Sequence, residues 1–283
     1  MRVFLNKMTL LLLSVCVFFA ENAHVVFADK LTQMEAYFTQ PEGYSGWMEV
    51  PGRGSMRYYA QNDPLWSGLT YERGDTTTWR PFRDSGCGPA AGAMAVANLL
   101  TDGEFSIIAA YAKQPYSLCS CSVNRARCSK SHARYILTSE RDFQRFLPLV
   151  FGDYATGNNI KGSYSRSGAV GTSTGFLWEI ADIYGLTLST TNSYQEALQA
   201  LQDGKQVVAL AGAGGAFTDS GHYVLLAHVD DEKLFILDPL ARTEYKTTNG
   251  KKIEILQPGL VALTHANVKF AQFHSFIVFD RPL

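Results

Sequence analysis

Hydrophobic residues follow two different patterns along the chain, and the change from one to the other predicts helices first and strands afterwards. Apolar side chains cover almost every face of residues 87–100, which predicts a buried central helix with Pro89 in its first turn. Helical spacing of apolar residues recurs at residues 105–112, 139–150 and 172–184. Ser193 and Glu196 have the spacing of a capping box, which predicts that a further helix begins there and ends at Gly204.

Segments rich in β-branched and aromatic residues dominate the last third of the chain. They predict strands at residues 206–211, 222–229, 233–237 and 273–279. The acidic residues 230–232 predict a turn between the second and third of these strands, and the Gly, Ser and Asn residues of 152–171 are typical of a long loop. Helices followed by antiparallel strands, without alternation, indicate the α+β class.

The N-terminal segment predicts export. Basic residues at positions 2 and 7 precede a nearly continuous apolar run over residues 9–20, and small residues follow where a signal peptidase cuts. We therefore expect a signal peptide over residues 1–28 and a secreted protein. Two alternatives stay open for this segment: an uncleaved membrane anchor, and a lipoprotein signal that would use Cys16.

Charge and length limit what the mature chain does. Without residues 1–28, 255 residues remain, and the net charge moves from −1 to −2 because Arg2, Lys7 and Glu21 leave with the segment. A near-neutral chain gives no electrostatic case for binding nucleic acid or an anionic membrane, and no later segment is long and apolar enough for a membrane helix. We expect a lead-in over residues 29–55, which the sequence does not distinguish from a short pro-segment, and one domain over residues 56–283.

Cys87 is the candidate nucleophile. It stands in the sequence Ser-Gly-Cys-Gly-Pro, where an irregular stretch meets the predicted central helix. The unpaired N–H groups and the dipole at a helix N-terminus favour the thiolate, which is the nucleophilic form of cysteine.

His222 and Asp238 are the candidate base and its partner. They lie at the start of one strand and just beyond the end of the next in a predicted hairpin, so that antiparallel pairing brings them to nearly opposite positions at its open end. A carboxylate there accepts a hydrogen bond from one imidazole nitrogen and leaves the other nitrogen facing a thiol. Without such a partner, a histidine on an apolar strand would be interpreted as a core residue. The histidines that fit this role less well are His24, His228, His265 and His274.

A side-chain amide lies upstream of the candidate nucleophile, in the sequence Tyr-Tyr-Ala-Gln-Asn-Asp over residues 58–63. A tetrahedral oxyanion needs hydrogen-bond donors. The N–H of Cys87 supplies one, and Gln61 is the candidate for the second. On its own Gln61 would be taken for a surface residue, so this prediction depends on Cys87 being the nucleophile.

Together these motifs resemble those of a known family. Tyr-Tyr-x-Gln-x-Asp, then Ser-Gly-Cys-Gly-Pro before an Ala/Met-rich helix, then Gly-His and Asp-Pro, is similar to the pattern of secreted relatives of the bacteriocin-processing cysteine peptidases. These are papain-fold proteins of peptidase family thirty-nine type. The resemblance covers residues 58–279 and implies a nucleophile helix packed on a C-terminal antiparallel sheet, with no cofactor. It also implies that Cys87 is the nucleophile, His222 the general base and then acid, Asp238 its orienting partner and Gln61 the oxyanion donor.

The chain departs from the transporter-linked members of that family in two ways. It shows neither their ATP-binding domain nor their membrane domain, so we do not expect it to process a bacteriocin leader during export. It also carries a cysteine-rich stretch, whose candidate ligands or bridge partners are Cys119, Cys121, Cys128 and His132. A disulfide from Cys128 to one of the two preceding cysteines is the expectation outside the cell, and a zinc site of three cysteines and the histidine stays open. A bridge from one of them to Cys87 would remove the nucleophile.

The sequence therefore predicts a secreted cysteine peptidase that acts on a peptide or protein, with no nucleic-acid partner and no stable membrane association after signal removal. Two alternatives remain. One is another enzyme of the same chemistry, a cell-wall amidase, endopeptidase or transpeptidase. The other is a non-catalytic secreted binding protein on the same scaffold.

Overall fold

A seven-stranded antiparallel sheet organises the described part of the chain in this computed structural model. The structure describes residues 45–64, 66–67, 70–73, 79–101, 103–104, 116–119, 134–137, 147–148, 151, 172, 174–245 and 253–282. The sheet strands, in spatial order, are β11 (Glu254–Gln257), β12 (Leu260–Thr264), β10 (Lys233–Leu237), β9 (His222–Val229), β8 (Gln206–Ala211), β13 (Phe273–Asp280) and β7 (Thr187–Thr191). The four strands predicted from the pattern therefore form the centre of the sheet together with β12.

In the part of the chain that the structure describes, three two-stranded sheets precede the large one. They are formed by β1 (Gly46–Val50) with β2 (Gly54–Tyr58), β3 (Thr70–Arg73) with β4 (Trp79–Pro81), and β5 (Tyr116–Cys119) with β6 (Arg134–Leu137). The expectation that only helices precede the strands is therefore wrong for the first part of the chain. β1 lies within the predicted lead-in, and its pairing with β2 ties that segment to the domain.

Of the helices that the structure describes, those that begin at residues 87, 175 and 194 agree with the pattern, whereas the short helix at 82–85 and the 3₁₀ helix at 265–271 were not predicted. The described helices are α1 (Phe82–Ser85), α2 (Cys87–Ala97), α3 (Gly175–Ile183), α4 (Tyr194–Gln202) and a 3₁₀ helix (His265–Ala271). α2 is buried from Cys87 to Val96, as predicted for a central helix. It ends before the predicted residue 100 because the Asn98 side chain donates to the Met94 carbonyl and also bonds both backbone groups of Arg57 in β2.

The capping box at the start of α4 is formed in one direction. The Ser193 hydroxyl accepts a hydrogen bond from the N–H of Glu196 at 3.3 Å, as the sequence predicted. The Glu196 carboxylate does not return to the Ser193 N–H and instead accepts from the Thr191 hydroxyl at 2.5 Å. That hydroxyl in turn accepts from the Ser193 N–H, so all three groups fix the entry into the helix.

The core lies on both faces of the sheet. Ala197 and Leu201 of α4 pack with one face, in a cluster that takes residues from β8, β9, β10, β12 and β13. α2 packs against β9 and β8. β9 is therefore buried along nearly its whole length, and it presents its first residue, His222, near the helix that begins at Cys87. This arrangement confirms the predicted α+β class.

Several predictions lie outside the described residues. They are the signal peptide, the helices at 105–112 and over most of 139–150, the loop at 152–171, and the side chains of Cys121, Cys128 and His132. The domain boundaries at residues 28 and 55 stay predictions. Within the described ranges, no helix has the length and apolar character needed to cross a membrane.

Candidate active site

Cys87 is the first residue of α2, as the sequence predicted, and it carries a free, buried thiol. No side chain caps this helix end, and no acidic residue lies in its first turn. The positive end of the helix dipole is therefore left to act on the thiol. The tight turn from α1 requires glycine at position 86, because a Cβ there would lie 2.6 Å from the Phe82 carbonyl oxygen.

Three donors surround the Cys87 sulfur. His222 forms a side-chain hydrogen bond with it, and the backbone N–H groups of Tyr223 and Gly88 donate to it. Burial is the largest single influence and raises the pKa of the thiol, but the three donors and the charge of His222 together lower the pKa below its ordinary value. The environment therefore favours a thiolate at this position.

His222 connects the thiol to a carboxylate. Its Nε2 lies 2.6 Å from Oδ1 of Asp238, and both side chains are almost wholly buried. Because Nε2 is engaged there, Nδ1 is the nitrogen left to face Cys87. Burial lowers the pKa of His222, yet Asp238 and Cys87 raise it more, so that the pKa lies at about 9.

A β-bulge in β9 brings His222 and Asp238 to the same face of the sheet. β10 pairs Phe235 with His228 but Ile236 with Leu226, so that Ala227 has no partner across the hairpin. Continued by one residue, this register places Asp238 opposite Val224, two positions from His222 and on its face. Without the bulge the same strand would turn Asp238 to the opposite face. The predicted near-opposition is therefore a diagonal pair made possible by the bulge.

Asp238 is held by more donors than the sequence predicted. Oδ1 also accepts from the backbone N–H of Leu240 at 2.8 Å, Oδ2 accepts from the Tyr245 hydroxyl at 2.6 Å, and the Arg242 guanidinium lies 3.2 Å from Oδ2. Burial raises the pKa of Asp238, but His222, Arg242 and Tyr245 lower it below its ordinary value. Asp238 is therefore an ionised carboxylate in the interior.

The segment that contains Gln61 docks on the chain just after Asp238. The Tyr58 hydroxyl donates to the Asp238 carbonyl at 2.7 Å, and the Gln61 N–H donates to the Pro239 carbonyl at 2.7 Å. Tyr58 also packs on the β11–β12 turn, where Gly259 has a φ of +88° and a Cβ would lie 2.4 Å from the tyrosine ring. These contacts fix residues 58–61 beside the carboxylate.

Gln61 is buried rather than exposed, and its amide reaches the turn before the nucleophile. Nε2 donates to the Arg83 carbonyl in α1 at 2.6 Å. Because a primary amide has two N–H groups, one remains for another acceptor, and Oε1 has no hydrogen-bond partner among the described residues. The structure thus brings Gln61 to the helix that precedes Cys87.

Two aromatic rings, those of Phe217 and Tyr245, pack beside the His222–Asp238 pair. Phe217, in the loop between β8 and β9, has its ring centroid 6.1 Å from that of His222 and meets Tyr245 edge-on at 6.0 Å. Phe217 is buried itself. These rings exclude water from the His222–Asp238 pair, which strengthens the electrostatic interaction between them.

The remaining candidates take no part in this cluster. His228 stacks on Phe235, and His265 bonds the Asp230 carbonyl at the far end of the hairpin. The predicted zinc ligands or disulfide partners lie outside the described side chains. Among the side chains that the structure does describe, no group of three or more acidic, cysteine or histidine residues could hold a metal.

A sequence model of the Peptidase_C39 like family matches residues 55–255. The chain belongs to the Peptidase_C39 like family. The match spans the segment from Gln61 to Asp238, and it confirms the predicted resemblance and the papain-like α+β fold. This C39-like chain has no match among the curated proteins.

Two solved structures are similar to this C39-like chain. One is the peptidase domain of Streptococcus ComA, a bi-functional ABC transporter involved in a quorum sensing pathway, at 12% identity and a TM-score of 0.35, covering 70% of this chain and 92% of that one. The other is described as a C39-like peptidase from Bacillus anthracis, at 16% identity and a TM-score of 0.36, covering 70% of this chain and 90% of that one.

Proposed function

We propose that this C39-like chain is a secreted cysteine peptidase that hydrolyses peptide bonds through Cys87, His222 and Asp238. The observation that supports it most is the continuous hydrogen-bonded path from a thiol at a helix N-terminus, through one imidazole, to a buried carboxylate. Membership of the family supports a cysteine peptidase scaffold. Both arguments point to acyl transfer, and neither depends on a cofactor.

The acylation step follows from the state of the three side chains. The Cys87 thiolate attacks the carbonyl carbon of the scissile bond, and the electron pair moves to the carbonyl oxygen. His222, which carries the thiol's proton on Nδ1, donates it to the leaving amine as the carbon–nitrogen bond breaks. Asp238 holds the imidazole through Nε2 and stabilises its positive charge throughout.

Water completes the cycle at the same residues. Neutral His222 takes a proton from a water molecule, whose oxygen attacks the thioester carbon. The carbon–sulfur bond then breaks, which releases the product and leaves the Cys87 thiolate beside protonated His222. In both steps the negative oxygen needs donors. We propose that the Cys87 N–H and the second Nε2–H of Gln61 supply them.

We further propose that the peptidase acts outside the cell, on a peptide or protein. The support is the N-terminal pattern of basic, apolar and small residues that predicts a signal peptide over residues 1–28. Analysis of the N-terminus of the exported protein tests this proposal. A first residue other than one near position 29 would contradict the predicted cleavage.

Alkylation of the thiol is the first test of the enzyme. The mature chain is treated briefly with iodoacetamide between pH 5 and 8 without reductant, and intact mass and peptide mapping identify the modified cysteine. We expect fast modification of Cys87 well below about pH 8, where an ordinary thiol reacts slowly. His222→Ala should abolish it, whereas His265→Ala, an exposed histidine outside the site, should leave it unchanged.

Hydrolysis of a fluorogenic peptide library is the second test. Cleavage by the parent chain and by His265→Ala, together with its loss in Cys87→Ser and His222→Ala, would support the peptidase. Gln61→Ala should lower kcat by roughly 10²-fold or more if its amide stabilises the oxyanion. An unreactive or bridged Cys87 would overturn the proposal in favour of a binding protein. A reactive Cys87 that cleaves wall-derived amides but no peptide would favour the amidase.

A further inference from the structure

Two side chains beyond the predicted set converge on the carboxylate of Asp238. Arg242 and Tyr245 both lie in the short segment that follows β10, four and seven residues after Asp238. They meet Oδ2, the oxygen that faces away from His222, at 3.2 Å and 2.6 Å respectively. Oδ1 therefore accepts from His222 and Leu240, whereas Oδ2 accepts from the Tyr245 hydroxyl and forms an ion pair with the Arg242 guanidinium.

Arg242 also joins the two chain segments that flank the hairpin. One of its Nη groups donates to the carbonyl of Phe217, in the loop that leads into His222. Its guanidinium lies over the ring of Tyr245, 4.9 Å from the centroid. The side chain is 23% exposed, whereas Asp238 is fully buried. Arg242 is thus placed to balance a buried negative charge from its solvent side.

The charges around this pair come from α2, β9 and the segment after β10. Cys87 of α2 and Asp238 after β10 are the negative groups, and His222 of β9 and Arg242 are the positive ones. The Tyr58 hydroxyl from β2 and the Tyr245 hydroxyl face the carboxylate as neutral donors, and the negative charge of Asp238 contributes to raising both of their pKa values. Asp63 faces Tyr58 in turn. Arg242 makes the sum of the four ionised groups zero.

We propose that Arg242 and Tyr245 are positioning residues that hold Asp238 against His222 and share its negative charge, so that His222 releases its proton to a leaving amine more readily. The inference rests on the proposed role of His222 as general acid. A bare buried carboxylate would hold an imidazolium very tightly, because charges interact strongly in a medium of low dielectric constant. The Tyr245 hydroxyl, which donates to Oδ2, and the positive charge of Arg242 beside it each weaken the attraction between Asp238 and the imidazolium.

The sign of one measurement separates this role from a structural one. If Arg242 shares the charge of Asp238, its loss makes His222 bind its proton more strongly. If Arg242 only supports the fold, its loss admits water, and the midpoint for protonation of His222 falls toward the ordinary value of 6.5. The pair Arg242→Gln and Arg242→Lys tests this, because lysine keeps the charge that glutamine removes.

The experiment follows the imidazole directly. The chain carrying Cys87→Ala is labelled with ¹⁵N-histidine, and the ring nitrogens are followed by NMR from pH 5 to 10, with the His222 signal assigned by its absence in His222→Gln. We expect the midpoint to rise by about half a pH unit or more in Arg242→Gln, to rise in Tyr245→Phe, and to stay near the parent value in Arg242→Lys. Asp238→Asn is the opposite control, in which the midpoint should fall.

The outcome is separable from that of the proposed function. An unchanged or lowered midpoint in Arg242→Gln, with the spectrum of a folded chain, would overturn the role of Arg242 whatever the reactivity of Cys87. Conversely, an unreactive Cys87 in the parent chain would overturn the peptidase while leaving the measured coupling between Arg242 and His222 intact.

Discussion

Replacing Cys87 by alanine should make the folded state lose stability as the pH rises from 6.5 to about 9. In the folded chain, burial lowers the pKa of His222, but Asp238 and Cys87 raise it further, from 6.5 to about 9. A group whose pKa rises on folding stabilises the folded state fully below its unfolded pKa, and this contribution is lost as the pH rises through the folded pKa. In Cys87→Ala, Asp238 remains to keep the pKa of His222 raised.

The size of the loss follows from the same values. The difference between 6.5 and about 9 corresponds to at most about 3 kcal/mol of unfolding free energy, and full burial means that solvent does not screen it. Part of the rise comes from Cys87, so we expect a loss of about 1 to 3 kcal/mol in the alanine variant. In the parent chain the thiol, whose pKa is lowered on folding, gains stabilising effect with rising pH and offsets His222.

Urea unfolding at pH 6.5, 7.5 and 9 measures this effect. The comparison is between Cys87→Ala and the double variant Cys87→Ala with His222→Gln, which shares every other titrating group. The unfolding free energy of the single variant should fall relative to that of the double variant as the pH rises. If the two curves run parallel from pH 6.5 to 9, the folded state does not hold the His222 proton, and the electrostatic argument for the site is refuted.

Three further predictions test the packing and the carboxylate. Gly92→Ala should lower the unfolding free energy measured with urea by about 1 to 3 kcal/mol, because the new Cβ would lie 2.7 Å from a leucine of α3. Gly103→Ala is the control, since it has open space around it and should lower the unfolding free energy little; equal losses in the two variants would contradict this packing. Tyr58→Phe should lower the unfolding free energy by about 1 to 2 kcal/mol, because it removes a buried donor to the Asp238 carbonyl; an unchanged midpoint would show that this bond contributes nothing. Asp238→Asn should retain some peptide hydrolysis. As the pH rises, this activity should be lost at a lower pH than in the parent chain, because the pKa of His222 falls without Asp238. A pH profile identical to the parent's would argue against the orienting role.

The strongest hydrophobic patterns predicted the elements that build the site. The observed bounds of β8, β9 and β10 match the predicted strands, and α2 begins at the predicted Cys87. These segments are buried on nearly all sides, so their side chains had to be apolar throughout, and that requirement is visible in the sequence alone.

The strands that the sequence did not predict are short. β12 is buried at four of its five residues, but the others whose burial is described are mostly exposed or belong to separate hairpins. β11 is exposed at every residue, and β7 consists largely of threonine and serine at the opposite edge of the sheet. An edge strand gains its conformation from hydrogen bonds to the neighbouring strand rather than from a buried face. Such strands leave no alternating pattern from which they could be predicted.

The relation between His222 and Asp238 shows both the reach and the limit of pattern reasoning. Their positions in a hairpin predicted that they meet, and they do. A regular register that continues from the pairing of Val229 with Leu234 would nevertheless put Asp238 opposite Leu225, on the wrong face. The bulge at Ala227 corrects the alternation, and nothing in the apolar run of β9 marks that residue as the one without a partner.

The partners of Asp238 could have been inferred by a physical argument that pattern alone does not supply. A buried carboxylate is stable only when its oxygens are paired or hydrogen-bonded. Once Asp238 is assigned to orient a buried His222, its other oxygen requires donors, and the chain just beyond the strand is the nearest source of them. Arg242 and Tyr245 are the cationic and hydroxyl-bearing side chains that meet this requirement in the structure. The chemistry required of one residue thus predicts the kind of residue that must surround it, even where the sequence shows no motif.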